Sequence, residues 1–298
     1  MERLKGYKAP TPMEKRGLSL VLLWLAACAA PAQAPSAGAL NFGLMGDTPY
    51  SEAQVSRLDP LIDELNAEPL AFVVHIGDIT SGQGPCTDAW FEARKAQFAR
   101  IRPPFVLLPG DNDWTDCHRS GMDPMERLAK WRQLFCGVRL QVEVQRGEYC
   151  EHMRWQAGGV LFVALNVQGS NNNRGRNEAM DAEYEARMKA VLAWIDDSER
   201  AFRQRKLHHI VLLMQANPFT KPPRSRPSGF DTLLERLRAL VAANPGQVIL
   251  VNGDSHTYRD DEPLPGLRRI EPWGSPVVSW LRGTIANGKL GVAVAGTH

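Results

Sequence analysis

Four short apolar segments of the chain end at the same dipeptide. They cover residues 40–45, 70–76, 105–109 and 247–252, and each is followed by Gly-Asp. Apolar and β-branched runs that stop at a turn signal are typical of short buried strands. Sites in open α/β sheets are built at the carboxyl ends of strands. We therefore predict that the four aspartates lie together at one sheet edge; they are Asp47, Asp78, Asp111 and Asp254.

The segments between these strands have apolar residues at helical spacing. Helices are predicted over residues 52–66, 87–101, 123–135, 178–205 and 230–243. Further strands are predicted over 140–144, 149–156, 160–167 and 209–214, with two or three strands and no helix in the tail after residue 254. The Pro- and Arg-rich residues 221–229 are predicted to be a mobile surface loop. The alternation of strand and helix predicts an α/β fold in one domain.

A bound cation is the simplest explanation for four aspartates at one sheet edge. Carboxylates so close together would repel one another unless a cation lay between them. One Gly-Asp dipeptide is explained well enough by a turn. Four of them at the ends of four strands favour a metal site.

The N-terminal segment has the pattern of an export signal. A Lys-Arg pair precedes an apolar run at residues 18–27, which is too short to span a membrane. The run ends in Leu-Ala-Ala-Cys, which resembles a bacterial lipobox and implies cleavage before Cys28 and lipidation of that residue. The alternative is ordinary cleavage after Ala34, at an A-x-A site. We expect an exported protein of the bacterial cell envelope or periplasm, attached to a membrane only through this lipid.

The predicted organisation has three parts, and the excess of positive charge lies in the first of them. They are an export signal (1–28), an Ala- and Pro-rich tether (29–39) and a domain (40–298). The chain of 298 residues has a net charge of +2, and loss of the signal leaves 30 basic and 31 acidic residues, or −1. There is no basic run of the kind that marks nucleic-acid binding.

Four cysteines remain after the predicted lipidation site. An even number in an exported protein suggests disulfides, and four cysteines allow three pairings. Cys86 and Cys117 follow two consecutive Gly-Asp strands. If those strands are neighbours, the expected pairs are Cys86–Cys117 and Cys136–Cys150. Four buried thiols are the alternative, and a cysteine zinc site is not favoured because no C-x-x-C spacing occurs.

The motifs around the aspartates resemble those of the calcineurin-like metallophosphoesterase superfamily. The chain has Gly-Asp-Thr, Gly-Asp-Ile, Pro-Gly-Asp-Asn-Asp-Trp and Asn-Gly-Asp-Ser-His. The family pattern is D-x-H, G-D-x-x, G-N-H-[DE], a lone His and G-H-x-H. The segments GDTPYS, HIGDIT, PGDNDWTDCH and NGDSHTYR look more closely like a bacterial exported branch. The resemblance implies a four-layer αββα sandwich, with two mixed β-sheets flanked by helices and a two-metal centre.

The resemblance also implies metal ligands, position by position. Asp47 would bind the first metal ion, and Asp78 would bridge both ions. Asp111 stands where the family has an Asn ligand, and His256 matches the last His of G-H-x-H.

The chain departs from the family pattern where the other imidazoles should be. Pro49 occupies the His position of D-x-H, and Asp254 replaces the first His of G-H-x-H. Asn112 replaces the His that protonates the leaving group, and Gln215 or Asn217 replaces the lone His. This oxygen-rich donor set favours Mg²⁺, Mn²⁺ or Ca²⁺, with Fe or Zn still open. Two ions are expected, although the lost imidazoles leave a single ion open.

A few other residues are candidates for catalysis or substrate binding. Asn112 or His118 would assist the leaving group. Asn171 lies in an Asn-rich loop that would either line a substrate pocket or be solvated, and Arg259 would either hold a phosphate group or form a surface ion pair. His75 lies inside a strand and is predicted to be a buried core residue.

Two functions remain open from the sequence. The first, which we adopt, is an exported phosphoesterase that hydrolyses phosphate esters with a metal-activated water. The second is a catalytically inactive cell-surface binding module that keeps the same fold. The lost imidazoles at positions 49 and 112 favour the second function, and the retained carboxylates favour the first.

Overall fold

The computed structural model describes residues 38–221 and 227–297. The predicted export signal, most of the tether and the centre of the predicted loop at 221–229 lie outside the described residues. The helices are α1 (Glu52–Ala67), α2 (Asp88–Phe98), α3 (Pro124–Phe135), α4 (Gly169–Asn172), α5 (Glu178–Gln204) and α6 (Asp231–Ala243), with a 3₁₀ helix at Thr115–Ser120. The φ angles of Ser170 and Asn171 are 47° and 57°, so α4 is a left-handed turn and not a regular helix. Across these two ranges, no helix has the length and apolar character needed to cross a membrane.

The strands follow the predicted order, and most are shorter than predicted. They are β1 (Leu40–Met45), β2 (Leu70–His75), β3 (Phe105–Leu107), β4 (Glu143–Val144), β5 (Met153–Ala157), β6 (Val160–Ala164), β7 (His209–Leu213), β8 (Val248–Val251), β9 (Arg259–Leu264), β10 (Leu267–Glu271), β11 (Ser279–Ala286) and β12 (Lys289–Thr297). The tail thus has four strands, so the prediction of two or three was wrong. β9 has the sequence RDDEPL and lies at a sheet edge, where an apolar run is not needed.

Two mixed sheets contain these strands. The first has the order β12-β11-β1-β2-β3, with β1, β2 and β3 parallel to one another. The second has the order β4-β5-β6-β7-β8-β10-β9, with β6, β7, β8 and β10 parallel. The carboxyl ends of the parallel strands therefore supply two rows of loops.

Three apolar clusters separate four layers of structure. Phe42 and Phe72 of the first sheet pack with Phe162 of the second in the cluster between the sheets. A second cluster packs α1, α2 and α3 on the outer face of the first sheet, and a third packs α5 and α6 on the outer face of the second. The predicted αββα sandwich is confirmed.

The cysteines pair as the strand order requires. β2 and β3 are neighbours, and the loops that follow them are joined by Cys86–Cys117. The second disulfide joins Cys136 to Cys150, beyond the end of α3. Both predicted pairs are confirmed, and the alternative of four thiols is not.

Candidate metal centre

The four Gly-Asp dipeptides meet where the carboxyl ends of the two sheets come together. Asp47, Asp78 and Asp111 follow β1, β2 and β3 and are buried, with residue exposures of 0%, 2% and 6%. Asp254 follows β8 and is partly exposed. Its main-chain N–H donates to Oδ1 of Asp47 over 3.0 Å, which joins the loops of the two sheets. The structure thus brings together the four aspartates that the sequence singled out.

The glycine of one dipeptide makes room for the aspartate of another. A Cβ atom at Gly110 would overlap Oδ1 of Asp78, and a Cβ atom at Gly253 would overlap Oδ2 of Asp47. The Gly-Asp repeat therefore has a packing reason beyond turn formation. Only glycine lets these carboxylates lie directly against the backbone.

Backbone strain is concentrated at the same residues. The φ angles of Asp47, Asp78, Asp254 and His256 are 50°, 62°, 74° and 58°. Residues other than glycine seldom adopt this left-handed conformation, which is retained where surrounding structure enforces it, often at functional sites. This backbone conformation directs the side chains away from their strands and toward one common space.

Asp78 has the densest set of hydrogen bonds in the cluster. Its Oδ2 accepts from the Tyr50 hydroxyl at 2.8 Å, from Asn112 Nδ2 at 2.9 Å and from Gln215 Nε2 at 3.2 Å. Its Oδ1 accepts from the Asn112 main-chain N–H at 3.0 Å. Asp78 therefore sits at the centre of the site, where the sequence resemblance puts a bridging ligand.

A further aspartate, Asp113, stabilises the loops that carry Asp78 and Asp111. The Asp113 carboxylate is buried and accepts from the main-chain N–H groups of Asp78 at 3.0 Å, Ile79 at 2.8 Å and Gly110 at 2.8 Å. It thus ties the loop after β2 to the loop after β3. Burial raises the Asp113 pKa to about 7, although the three N–H donors act in the opposite direction.

The electrostatics of the cluster are unfavourable without a cation. Burial is the main cause that raises the pKa values of Asp47, Asp78, Asp111 and Asp254. Neighbouring carboxylates raise all four pKa values further; for example, Asp254 acts on Asp47 and Asp111 acts on Asp78. A cation among the four would reverse both effects, because it favours the charged form of each ligand.

Two oxygen atoms in the site fit the requirement for a metal ligand. Asp47 Oδ2 and Asp111 Oδ1 are buried and have no hydrogen-bond partner. Buried polar atoms are normally satisfied, so an orphaned carboxylate oxygen calls for an explanation. A Cβ atom at Gly169 would lie 2.5 Å from Asp254 Oδ1 and 2.7 Å from Asp111 Oδ2, so these two oxygens are within about 5 Å of each other. The donor set fits a divalent cation.

The donors surround a wider space than a compact single-ion site. In the described part of the chain, three ligand-type side chains have donor atoms within 4.8 Å of one another only at Cys136, Cys150 and Glu151. That group is not a metal site, because its two sulfur atoms form a disulfide. No three of the aspartate ligand atoms come within this distance of one another among the described residues.

His256 is oriented toward the cluster by the loop before β11. Its Nδ1 lies 2.8 Å from the Ser275 carbonyl oxygen, so Nδ1–H donates and Nε2 is left as an acceptor. Nε2 lies 3.1 Å from the Tyr50 hydroxyl and 3.8 Å from Asp47 Oδ1. The residue expected to be the imidazole ligand is thus beside the aspartates.

Sequence reasoning missed Tyr50. Its hydroxyl contacts Asp78 and His256 and accepts from Asn112 Nδ2 at 3.0 Å. Burial, followed by the Asp78 charge, raises the pKa of Tyr50 well above its ordinary value. The available signal was its position three residues after Asp47, in a loop with no other aromatic residue.

The structure separates the two replacements for the lone histidine. Gln215 is fully buried, accepts from the Gly169 main-chain N–H at 2.7 Å and donates to Asp78. The Asn217 side chain instead contacts Ser255 and Arg269. Gln215 is therefore the residue whose side chain faces the aspartates.

His75 is buried as predicted and links two loops of the site. Its Nε2 lies 2.8 Å from the Thr48 carbonyl oxygen, and its Nδ1 accepts from the Gly77 main-chain N–H at 3.2 Å. Both contacts require the neutral ring with the proton on Nε2. Burial lowers the His75 pKa to about 4.

Three other candidates lie outside this set of contacts, and their proposed roles stay predictions. His118 is exposed, with Nδ1 2.8 Å from the Thr115 carbonyl oxygen. Asn171 is buried and uses its side chain to hold the main chain of residues 174, 227 and 229. Arg259 donates through Nε to the buried Glu271 carboxylate at 3.0 Å.

Comparison with known proteins agrees with this fold and shows the family. The sequence profile described as calcineurin-like phosphoesterase matches residues 40–258. The chain therefore belongs to the calcineurin-like phosphoesterase family. It is a metal-dependent phosphoesterase, a hydrolase that acts on phosphate ester bonds. No curated protein sequence gives a significant match.

Solved structures with low sequence identity share the fold. A dimetal phosphatase from Danio rerio matches 86% of this chain and 96% of its own, with 13% identity and a TM-score of 0.56. A purple acid phosphatase from yellow lupin (Lupinus luteus) seeds matches 86% of this chain and 51% of its own, with 12% identity and a TM-score of 0.56. At this identity the similarity concerns the fold alone.

Proposed function

We propose that the chain is an exported phosphoesterase in which Asp47, Asp78, Asp111, Asp254 and His256 hold two divalent ions. The observation that carries the proposal is the pair of buried oxygens without partners, Asp47 Oδ2 and Asp111 Oδ1. Gln215 is the further candidate ligand, through its amide oxygen. The name of the Danio rerio neighbour, a dimetal phosphatase, supports the number of ions. The preponderance of oxygen donors favours Mg²⁺, Mn²⁺ or Ca²⁺ over Zn²⁺.

The bound ions would polarise the phosphoryl oxygens and lower the pKa of the attacking water. In the hydrolysis, the water oxygen forms a bond to phosphorus while the bond from phosphorus to the leaving oxygen breaks. One proton ends on the leaving oxygen and the other on the released phosphate. An amide has no proton to give at neutral pH, so Asn112 would orient the leaving oxygen, and His118 or solvent would supply its proton.

Asp78→Asn tests the site, with Asp63→Asn as the matched control. Asp63 is an exposed residue of α1. We expect the purified protein to retain a divalent metal after supplementation and to hydrolyse p-nitrophenyl phosphate or its bis-ester. Asp78→Asn should lower that rate by several orders of magnitude, and Asp63→Asn should not change it. The two substrates also separate a monoesterase from a diesterase.

An inactive binding module is the alternative function. It is favoured by Pro49, which has no ligand atom in its side chain, and by Asn112 in place of a protonating histidine. Wild-type protein that keeps its metal but hydrolyses neither substrate with any of Mg²⁺, Mn²⁺, Ca²⁺, Fe²⁺ or Zn²⁺ would favour this alternative.

Export and lipid attachment are the remaining parts of the proposal. They rest on the Leu-Ala-Ala-Cys pattern that ends at Cys28 and on the apolar run before it. Two disulfides are consistent with an oxidising compartment. Cys28→Ala should release the protein from the membrane fraction. If the wild-type protein is already soluble and begins after Ala34, cleavage at the A-x-A site replaces lipidation.

A further inference from the structure

Two arginines, Arg119 and Arg176, lie beside the metal centre and form ion pairs with one buried aspartate, Asp116. We call these three residues the rim. Asp116 has a side-chain exposure of 2% and forms ion pairs with Arg119 at 2.9 Å and Arg176 at 3.5 Å. Its main-chain N–H donates to the Asp111 carbonyl oxygen, so its position is fixed by a residue of the centre. Its Oδ2 also accepts from the Ser170 hydroxyl at 2.7 Å.

The Arg119 guanidinium lies beside Asn112. Nη1 donates to the Gly82 carbonyl oxygen at 3.2 Å, and Nη2 donates to the Ser170 hydroxyl at 3.4 Å. A Cβ atom at Gly82 would lie 2.8 Å from Arg119 Nη1 and 3.0 Å from Asn112 Oδ1, so these two atoms are within about 6 Å of each other. Asn112 in turn donates to Asp78. Exposure increases along this row, from 2% at Asp78 and 8% at Asn112 to 44% for the Arg119 side chain.

The charge of the rim is opposite to that of the aspartate cluster. Asp116 carries one negative charge, and Arg119 and Arg176 carry two positive charges, so these three groups sum to +1. Two divalent ions would neutralise the four aspartates of the centre. The rim would then present a net positive charge to an incoming ligand, which favours an anion.

The Asp116–Arg119 pair differs in burial from an ordinary surface ion pair with the same sequence spacing. Asp197 and Arg200 are also three residues apart and form an ion pair at 3.0 Å, but their side chains are 43% and 64% exposed. Such surface pairs contribute little to stability. Asp116 is instead desolvated, which is unfavourable for a carboxylate unless its partners compensate. The buried aspartate holds an exposed guanidinium in one orientation.

We propose that Arg119, oriented by Asp116, binds an anionic group on the leaving-group side of the substrate. The preferred substrates are then phosphate esters whose leaving group carries a carboxylate or a second phosphate close to the scissile bond. Arginine suits this role because its guanidinium has five N–H donors. In Arg119, Nη1 contacts Asp116 and Gly82 and one Nη2 hydrogen contacts Ser170, so Nε–H and the second Nη2–H are the donors that we assign to the anion. The inference rests on the proposed phosphoesterase function and adds the class of substrate.

The test uses propyl phosphate and two analogues that carry a terminal carboxylate or a terminal second phosphate. Wild-type enzyme should hydrolyse at least one charged analogue with a higher kcat/KM than propyl phosphate. In Arg119→Met this preference should fall by about 10- to 100-fold, mainly through KM, as expected for loss of a charge-assisted hydrogen bond. Arg200→Met, which removes the arginine of the surface pair, should leave the preference unchanged. The analogue that responds identifies the anion as carboxylate or phosphate.

Several outcomes would overturn the inference. If wild-type enzyme has a higher kcat/KM for propyl phosphate than for both charged analogues, a second anion does not improve recognition and the inference is wrong. An equal loss on all three substrates in Arg119→Met would mean that Arg119 acts on the scissile phosphoryl group or on folding instead. Absence of turnover on every substrate contradicts the proposed function. Calorimetric binding of the same three compounds to wild type and Arg119→Met then decides separately whether Arg119 recognises the second anion.

Discussion

The main-chain N–H of Asp254 donates a hydrogen bond to Oδ1 of Asp47 over 3.0 Å, and the two residues follow strands of different sheets. The contact is possible because Gly253 has no Cβ atom to overlap Asp47 Oδ2. One carboxylate oxygen of Asp47 thus accepts a hydrogen bond from the loop of the opposite sheet, and its other oxygen has no hydrogen-bond partner. One residue therefore closes the sandwich at this end and presents a free ligand atom to the space between the sheets.

Asp113→Asn is expected to loosen the centre without removing a ligand. The Asp113 carboxylate accepts three main-chain N–H bonds from two loops, and an amide has only one acceptor oxygen. At least one buried N–H group would lose its partner, at a cost of about 1–3 kcal/mol in the free energy of unfolding. Urea unfolding measures this loss, and metal titration should show weaker binding. Asp63→Asn is the control, and equal stability of the two variants would contradict the role given to Asp113.

The sequence predicted most of the layers because most strands that alternate with the helices, such as β6, β7 and β8, are runs of apolar residues. The tail prediction gave no bounds for single strands, and one of those strands, β9, has charged residues and lies at a sheet edge. The sequence predicted two or three tail strands instead of four. The cause is physical, since an edge strand is held by main-chain hydrogen bonds to β10 and needs no apolar face of its own.

The sequence predicted those residues of the site that belong to short local motifs. The Gly-Asp dipeptides marked four strand ends, and the fold brought them together. Asp116 and Arg119 could not be recognised in this way, and the position of Tyr50 near Asp47 was only a weak signal, because the contacts of all three residues join distant loops. The Tyr50 hydroxyl reaches His256 across 206 residues, and Arg119 reaches Ser170 across 51 residues. The choice between Gln215 and Asn217 likewise required the direction in which each side chain points.

The two disulfides should differ in their effect on metal binding. The Cys86–Cys117 bond closes 31 residues and the Cys136–Cys150 bond closes 14 residues. Loop-closure entropy gives both a similar stabilisation, about 3–4 kcal/mol. Only the first joins the loops that follow β2 and β3, which carry Asp78 and Asp111. Replacing either pair by alanine should lower the urea midpoint, but only loss of Cys86–Cys117 should also weaken metal affinity. An equal change in metal affinity for both double variants would contradict this assignment.

Acid should destabilise the protein through His75. Its pKa is about 4 in the folded chain, below the ordinary value of 6.5, so the neutral ring is favoured by folding. The unfolded chain binds a proton as the pH falls below 6.5 and the folded chain does not until about 4, so stability is lost across this window. From about pH 7 to about pH 5 the contribution of this residue is a loss of about 2 kcal/mol. In His75→Gln, urea unfolding should show a pH dependence that is smaller by this amount, and an unchanged dependence would exclude His75 as the cause.

Divalent metal should stabilise the wild-type protein and not Asp78→Asn. A ligand that binds only the folded state raises the free energy of unfolding by RT ln(1 + [L]/Kd), which is about 2.7 kcal/mol at a concentration of 100 Kd. Asp78 lies at the centre of the cluster, and its charge is the one expected between two cations, so an amide there should remove most of that gain. Without metal, loss of the Asp78 charge relieves repulsion within the cluster, while the amide loses one of two acceptor oxygens that hold hydrogen bonds, so each protein's own metal-free stability is the reference for its gain. Thermal unfolding with and without Mn²⁺ separates these cases, with Asp63→Asn as a control that should respond like wild type. If Asp78→Asn gains as much stability from Mn²⁺ as wild type does, the metal does not bind among these aspartates, and their arrangement must be attributed to folding alone.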